Sequence, residues 1–213
     1  VYKRQGDIHG SKYEVTRFCK RMNLTRSDTI VLLGDVGANY YGNERDLELK
    51  RGLARLKPTF LCIHGNHEMR PASLPGYITK IWNGGSVWYE EEYPNILFAR
   101  DGEIFELDGA KHLVIGGAYS VDKWYRLHHG YGWWEDEQPS AEIKAYVEKQ
   151  IQAHPIDIVL SHTCPYKYRP IEAFLPMIDQ DTVDESTEEW LDSIEESLDV
   201  ADGLFCREID GLF

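Results

Sequence analysis

The sequence predicts an α/β fold whose parallel strands deliver polar side chains to one edge of a sheet. Two observations carry that prediction. Three strand-like segments each stop in a glycine followed by residues able to bind a metal: Val1 to Gln5 before Gly6-Asp7-Ile8-His9-Gly10, Thr29 to Leu33 before Gly34-Asp35-Val36-Gly37, and Thr59 to Ile63 before His64-Gly65-Asn66-His67-Glu68. The segments between them have helical spacing. Right-handed helix crossovers set such strands parallel, with their carboxyl ends along the edge where α/β folds bind ligands.

In chain order, Val1 to Gln5 is poor strand by composition, and its place immediately before Gly6-Asp7 is what marks it as one. Asp7 and His9 stand two apart, so in extended chain both side chains share a face and one cation. Tyr13, Val15, Phe18, Cys19 and Met22 form an approximate helical stripe. Thr29 to Leu33 is β-branched and apolar, as expected of a strand covered on both faces. Asn43 suits the N-cap of a helix from Glu44 to about Leu56, with acidic residues in its first turn. Pro71 to Gly85 reads as loop, from its prolines and paired glycines. Ile96 to Ala99, Glu103 to Leu107 and Lys111 to Ile115 read as strands, and Asp108-Gly109 as a hairpin turn, which predicts a second, more antiparallel sheet.

Gly116 to Pro139 reads as a long aromatic loop holding Asp122, Lys123, Trp124, Arg126, His128, His129, Trp133 and Trp134, and loops of that length usually have a function. Ser140 caps a helix with Ile143, Tyr146, Val147 and Ile151 at helical spacing. Ile156 to Leu160 is a further buried strand ending in His162. Ser186 and Glu189 form a capping box for a last acidic helix reaching about Val200.

At 213 residues the chain suits one domain over 1–213. A formal charge of -13 and a pI near 5.0 argue against a nucleic-acid backbone or an anionic membrane as main partner, because both bind through clustered Lys and Arg. Bound cations still allow an acidic protein to handle phosphate esters. Cys19, Cys62, Cys164 and Cys206 lack the paired spacing of zinc sites and read as reduced thiols. No apolar run approaches the roughly 18 residues of a membrane span and no signal peptide is evident, so a cytoplasmic protein is expected. The chain begins at Val1 without an initiating Met and is expected to be a fragment.

Each motif alone is weak; their ordered conjunction at predicted strand ends is not. Gly6-Asp-Ile-His-Gly10, Gly34-Asp35, Gly65-Asn-His-Glu68 and the isolated His162 make the chain resemble the calcineurin-like metallophosphoesterase superfamily, in its bacterial or phage-type branch related to the Ser/Thr protein phosphatases. The resemblance implies a two-sheet β-sandwich flanked by helices, four layers in all, with two divalent cations at the sheet edges. By position, Asp7 and His9 hold the first metal, Asp35 bridges both, Asn66 and His162 hold the second, and His67 lies near the leaving group. Two such cations lower the pKa of a bridging water and clamp the phosphoryl oxygens for in-line attack. Mixed oxygen and imidazole donors suit Mn²⁺ first, with Fe or Zn²⁺ as alternatives to it, over Ca²⁺. Glu68 is expected to orient its loop.

Two departures stand out. Where the protein phosphatases extend the middle motif with Asp and Arg, this chain has Ala38 and Asn39, so the carboxylate that orients His67 and the Arg that grips phosphate are absent there. Asn39 and Arg126 are the substrate-binding candidates, with Lys123 and Arg169 as other replacement cations. The family's final Gly-His-x-His motif is also missing, and a short deletion between Cys206 and Arg207 is expected. A cysteine-phosphatase loop is excluded, since only four residues separate Cys164 from Arg169. The expectation is therefore a metal-dependent hydrolase of phosphate mono- or diesters, with Gly116 to Pro139 overhanging the metals. The aromatic loop raises a dinucleoside polyphosphate hydrolase as alternative, and the missing histidines a non-catalytic scaffold. The Trp124, Trp133 and Trp134 group suits base stacking or simple packing.

Overall fold

Strand pairing builds the expected parallel edge. β1 (Tyr2–Gln5), β2 (Thr29–Leu32), β3 (Thr59–Cys62) and β6 (Ile96–Ala99) run parallel in that spatial order, with Gln5, Leu32, Cys62 and Phe98 level with one another at their carboxyl ends. The antiparallel β5 (Gly85–Tyr89) and β4 (Ile78–Trp82) complete this six-stranded sheet. A second sheet has the order β10 (Leu204–Cys206), β9 (Ile158–Ser161), β8 (Ala110–Ile115), β7 (Ile104–Leu107). This computed structural model describes residues 2–5, 8–171, 180–198 and 204–206.

Alternation along the strands makes the layers. On β2, Ile30 and Leu32 turn to one side, where Val15 and Cys19 of α1 (Lys12–Arg21) and Leu49 and Leu53 of α2 (Glu44–Ala54) cover them. Val31 and Leu33 turn to the other, against Phe105, Leu107, Val114 and Leu160 of the second sheet. That sheet's outer side, through Leu113, Ile115 and Val159, packs on Val147 of α4 (Ala141–Ala153) and Leu191 and Ile194 of α5 (Ser186–Ser197). The result is the two-sheet sandwich flanked by helices. Burying a Leu or Ile side chain stabilises by about 1.5–3 kcal/mol, so these three apolar layers fix which strand face meets which neighbour.

Local signals mostly act as read. The Asn43 side chain accepts from Arg45 N, and the Ser140 hydroxyl from Ile143 N. Asp108 and Gly109 take positive φ in the turn from β7 to β8.

Other expectations are corrected. Pro71 to Gly85 is not only loop: Asn83-Gly84, both at positive φ, closes the β4–β5 hairpin, and its exposed strand β4 lacks the apolar alternation of a covered one. Ile96 to Ala99 joins the first sheet, parallel to β3, and among the described residues of the second sheet only β7–β8 is antiparallel. Of the α1 stripe, Tyr13 and Met22 are exposed, because the buried line runs through Val15 and Cys19, four apart. The aromatic segment contains a short helix, α3 (Lys123–His129). No Ser186 capping box forms, since Asp184 Oδ1 already accepts from Ser186 N and Ser186 lies inside α5. Asp7 and the junction after Cys206 lie outside the described residues. Among the described residues no helix is long and apolar enough to cross a membrane.

Candidate metal centre

The donors sit in the loops leaving the parallel strands, and backbone bonds lock those loops together. His9 N donates to Asp35 O and Gly10 N to Val36 O. His67 N donates to Asp35 Oδ1 at 2.9 Å, and Gly65 N to Glu68 Oε1 at 3.0 Å, which gives Glu68 the loop-orienting place expected of it. Gly34, at φ +116°, lets the His162 ring lie against the end of β2, since a Cβ there would overlap His162 Nδ1. That ring is fixed by Nδ1 donating to Leu33 O at 2.8 Å, across the two sheets.

Asp35 stands at the centre. Its Oδ2 faces His67 Nδ1 at 3.0 Å and His9 Nδ1 at 3.9 Å, while Oδ1 lies 3.6 Å from His162 Nε2. The two oxygens thus divide the imidazoles into two groups. His9, Asp35 and His67 each place a ligand atom within 4.8 Å of the others. On the second side, Asn66 Oδ1 lies 2.8 Å from His162 Nε2, and its amide nitrogen donates to Ser120 Oγ at 2.8 Å. Asn66 Oδ1 and His162 Nε2 thus converge beside Asp35 Oδ1. The donor set of carboxylate, amide oxygen and imidazole fits divalent transition metals.

The local field is shifted accordingly. Burial by itself raises the Asp35 carboxyl, but the hydrogen bond from His67 and the charges of His162 and His67 outweigh it and hold Asp35 well below the usual carboxylate range. Burial lowers His67, yet its contacts with Asp122 and Asp35 push it up to about 9. Burial takes the His64 imidazole well below its ordinary value, and Arg70 adds to this.

A match to the family model for calcineurin-like phosphoesterases runs over residues 5–195, most of the chain. The chain belongs to this family. Its members hydrolyse phosphoesters with metal ions, which is what the Asp35-centred cluster is equipped for. No curated protein matches the sequence. Among solved structures, the protein of unknown function AQ665 from Aquifex aeolicus is similar at 14% identity, a TM-score of 0.39, and coverage of 79% of this chain and 81% of that one. A likeness that loose carries no argument here.

Of the residues singled out in the sequence, His9, Asp35, Asn66, His67 and His162 come together. Asn39 is buried beneath Tyr77, whose hydroxyl donates to Asn39 Oδ1 at 2.8 Å. Arg126 reaches the site indirectly: Nε donates to Asp122 Oδ2 at 2.8 Å, and one terminal nitrogen to Tyr40 Oη and Gly132 O. Arg169 instead engages Glu185 and lies over the Tyr166 ring. Trp134 packs edge-on to Tyr40 and Trp133 lies under the Lys123 ammonium, whereas Trp124 is exposed. Ser120 and Asp122 were not singled out as site residues. Both come from the aromatic segment, more than fifty residues from the loop they touch, and no local pattern marks them.

Proposed function

We propose that the protein hydrolyses phosphate mono- or diesters as a dinuclear, metal-dependent phosphoesterase. The observation that carries this reading is the division of donors by Asp35, with His9 on one oxygen and His162, itself against Asn66, on the other. Asp7 and His9 would hold the first cation, Asn66 and His162 the second, and Asp35 would serve both, with Mn²⁺ first and Fe or Zn²⁺ as alternatives. When bound, two such cations supply hydroxide near neutral pH and positive charge for the phosphoryl oxygens. The chain's own groups do the rest. Asp35 stays ionised, Leu33 O and Ser120 Oγ hold the His162 ring and the Asn66 amide, and His67 gives a proton to the departing oxygen. Arg126 acts on the substrate side through Asp122, and Asn39 supports its loop beneath Tyr77. Cys19 and Cys62 are buried thiols, in keeping with the cytoplasmic setting proposed.

A second reading, a dinucleoside polyphosphate hydrolase, is favoured by the exposed Trp124, Tyr125 and Tyr131 on and after α3, whose rings suit base stacking. Assay with Mn²⁺ on p-nitrophenyl phosphate, its bis ester and a dinucleoside tetraphosphate, with and without chelator, separates the two. Activity lost on chelation and on His67→Ala supports the mechanism; activity indifferent to both refutes it.

A further inference from the structure

We propose that Asp122 is the positioning residue for His67, taking the Nε2 side of the imidazole so that Nδ1 faces the donor cluster where the leaving oxygen departs. The proposal rests on the phosphoesterase reading above. Its basis is a pair of buried atoms. His67 Nε2 and Asp122 Oδ1 lie 3.5 Å apart, and neither has a hydrogen-bond partner among the described residues. A buried polar atom left unpaired costs about 1–3 kcal/mol. Here donor and acceptor face each other, and a shift of a few tenths of an ångström satisfies both; catalytic hydrogen bonds often tighten in this way when substrate binds.

The carboxylate is itself held. Asp122 stands at the N-cap position of α3 yet makes no capping bond. Its Oδ2 instead accepts from Arg126 Nε one turn along the helix, and Tyr40 Oη and Gly132 O pin that guanidinium. The His67 ring is bounded on its other side by Asp35 Oδ2, 3.0 Å from Nδ1. A ring held between two carboxylates has one orientation. The loop after β2 offers no substitute, because position 38 is alanine and Asn39 Oδ1 is taken by Tyr77. The segment from α3 thus supplies across space an orienting carboxylate and a guanidinium that the middle motif lacks.

In the step this serves, a hydroxide oxygen forms a new P–O bond as the ester P–O bond breaks, and the electron pair of the broken bond goes to the leaving oxygen, which takes the proton from Nδ1. Nε2–H stays on Asp122. The ring ends neutral and the carboxylate remains ionised.

The test compares esters that do and do not need that proton, phenyl phosphate and p-nitrophenyl phosphate, on the Mn²⁺-loaded full chain. Asp122→Asn should lower kcat on phenyl phosphate about 30-fold or more, within the range of general-acid catalysis, with only a few-fold loss on the nitrophenyl ester and little change in KM. Asp122→Glu should recover part of the loss, and Asp122→Asn should cost nothing further in a His67→Ala background. Equal losses on both esters, or an undiminished loss without His67, overturn the proposal. Nitrogen-15 spectra of the metal-free protein give a second readout: the His67 Nε2–H signal should be slow to exchange in the wild type and fast in Asp122→Asn, and an unchanged signal also overturns it. A wild type inactive on every ester refutes the phosphoesterase reading instead, and the imidazole signal still decides whether Asp122 holds His67.

Discussion

Gly34→Ala tests whether the end of β2 is shaped for the His162 ring. Gly34 has φ +116°, and an added Cβ would overlap His162 Nδ1. The substitution carries two costs. An L-residue forced into that backbone region is strained by about 1–3 kcal/mol, and displacing the ring breaks the bond from Nδ1 to Leu33 O, worth about 1 kcal/mol. A loss of about 3 kcal/mol corresponds to a fall in melting temperature of about 6–12 °C for a chain of this size. Gly109→Ala is the control: φ is +78° but nothing lies within 4 Å of the new Cβ, so it carries strain alone. Calorimetric titration with Mn²⁺ should then show affinity falling about 10–100-fold, the loss typical when a ligand is no longer held in place, in Gly34→Ala and not in Gly109→Ala. If the two variants melt alike and Gly34→Ala binds Mn²⁺ as the wild type does, the packing of His162 on β2 has no part in the site.

Ser120→Ala removes the hydroxyl that accepts from Asn66, and Mn²⁺ affinity by titration should fall about tenfold with little change in melting. Arg126→Ala frees Asp122, so kcat on phenyl phosphate should fall more than KM rises; a change in KM alone makes the guanidinium a phosphate contact. Glu188 gives a pH signature. Burial raises its carboxyl above the ordinary value against the Thr163 hydrogen bond, so its contribution to stability is fully present below the unfolded value of about 4.3 and is lost as pH rises through the raised one. Glu188→Gln should therefore melt above the wild type at pH 7 and level with it near pH 4, and a constant difference across that range refutes the assignment.

What the sequence determined by itself is local. A strand end, a cap or a two-residue turn is specified by neighbours in the chain, which is why the Gly34-Asp35 and Gly65 to Glu68 loops, the Asn43 and Ser140 caps and the Asp108-Gly109 hairpin were legible. Asn83-Gly84 carried the same signal, but its hairpin was obscured by the weak apolar alternation of an exposed strand. Tertiary structure decided the rest, because those contacts join residues with no fixed spacing. Ile96 to Ala99 could pair in either sheet, and backbone hydrogen bonding to β3 placed it in the first. His162 meets Leu33 only because the second sheet stacks on the first and Gly34 leaves room. Asp122 is apposed to His67 because Arg126, held by Tyr40, fixes the start of α3 there. Burial and charge then set how these groups ionise, since a carboxylate among imidazoles in a water-poor edge responds to its neighbours far more than to its own sequence.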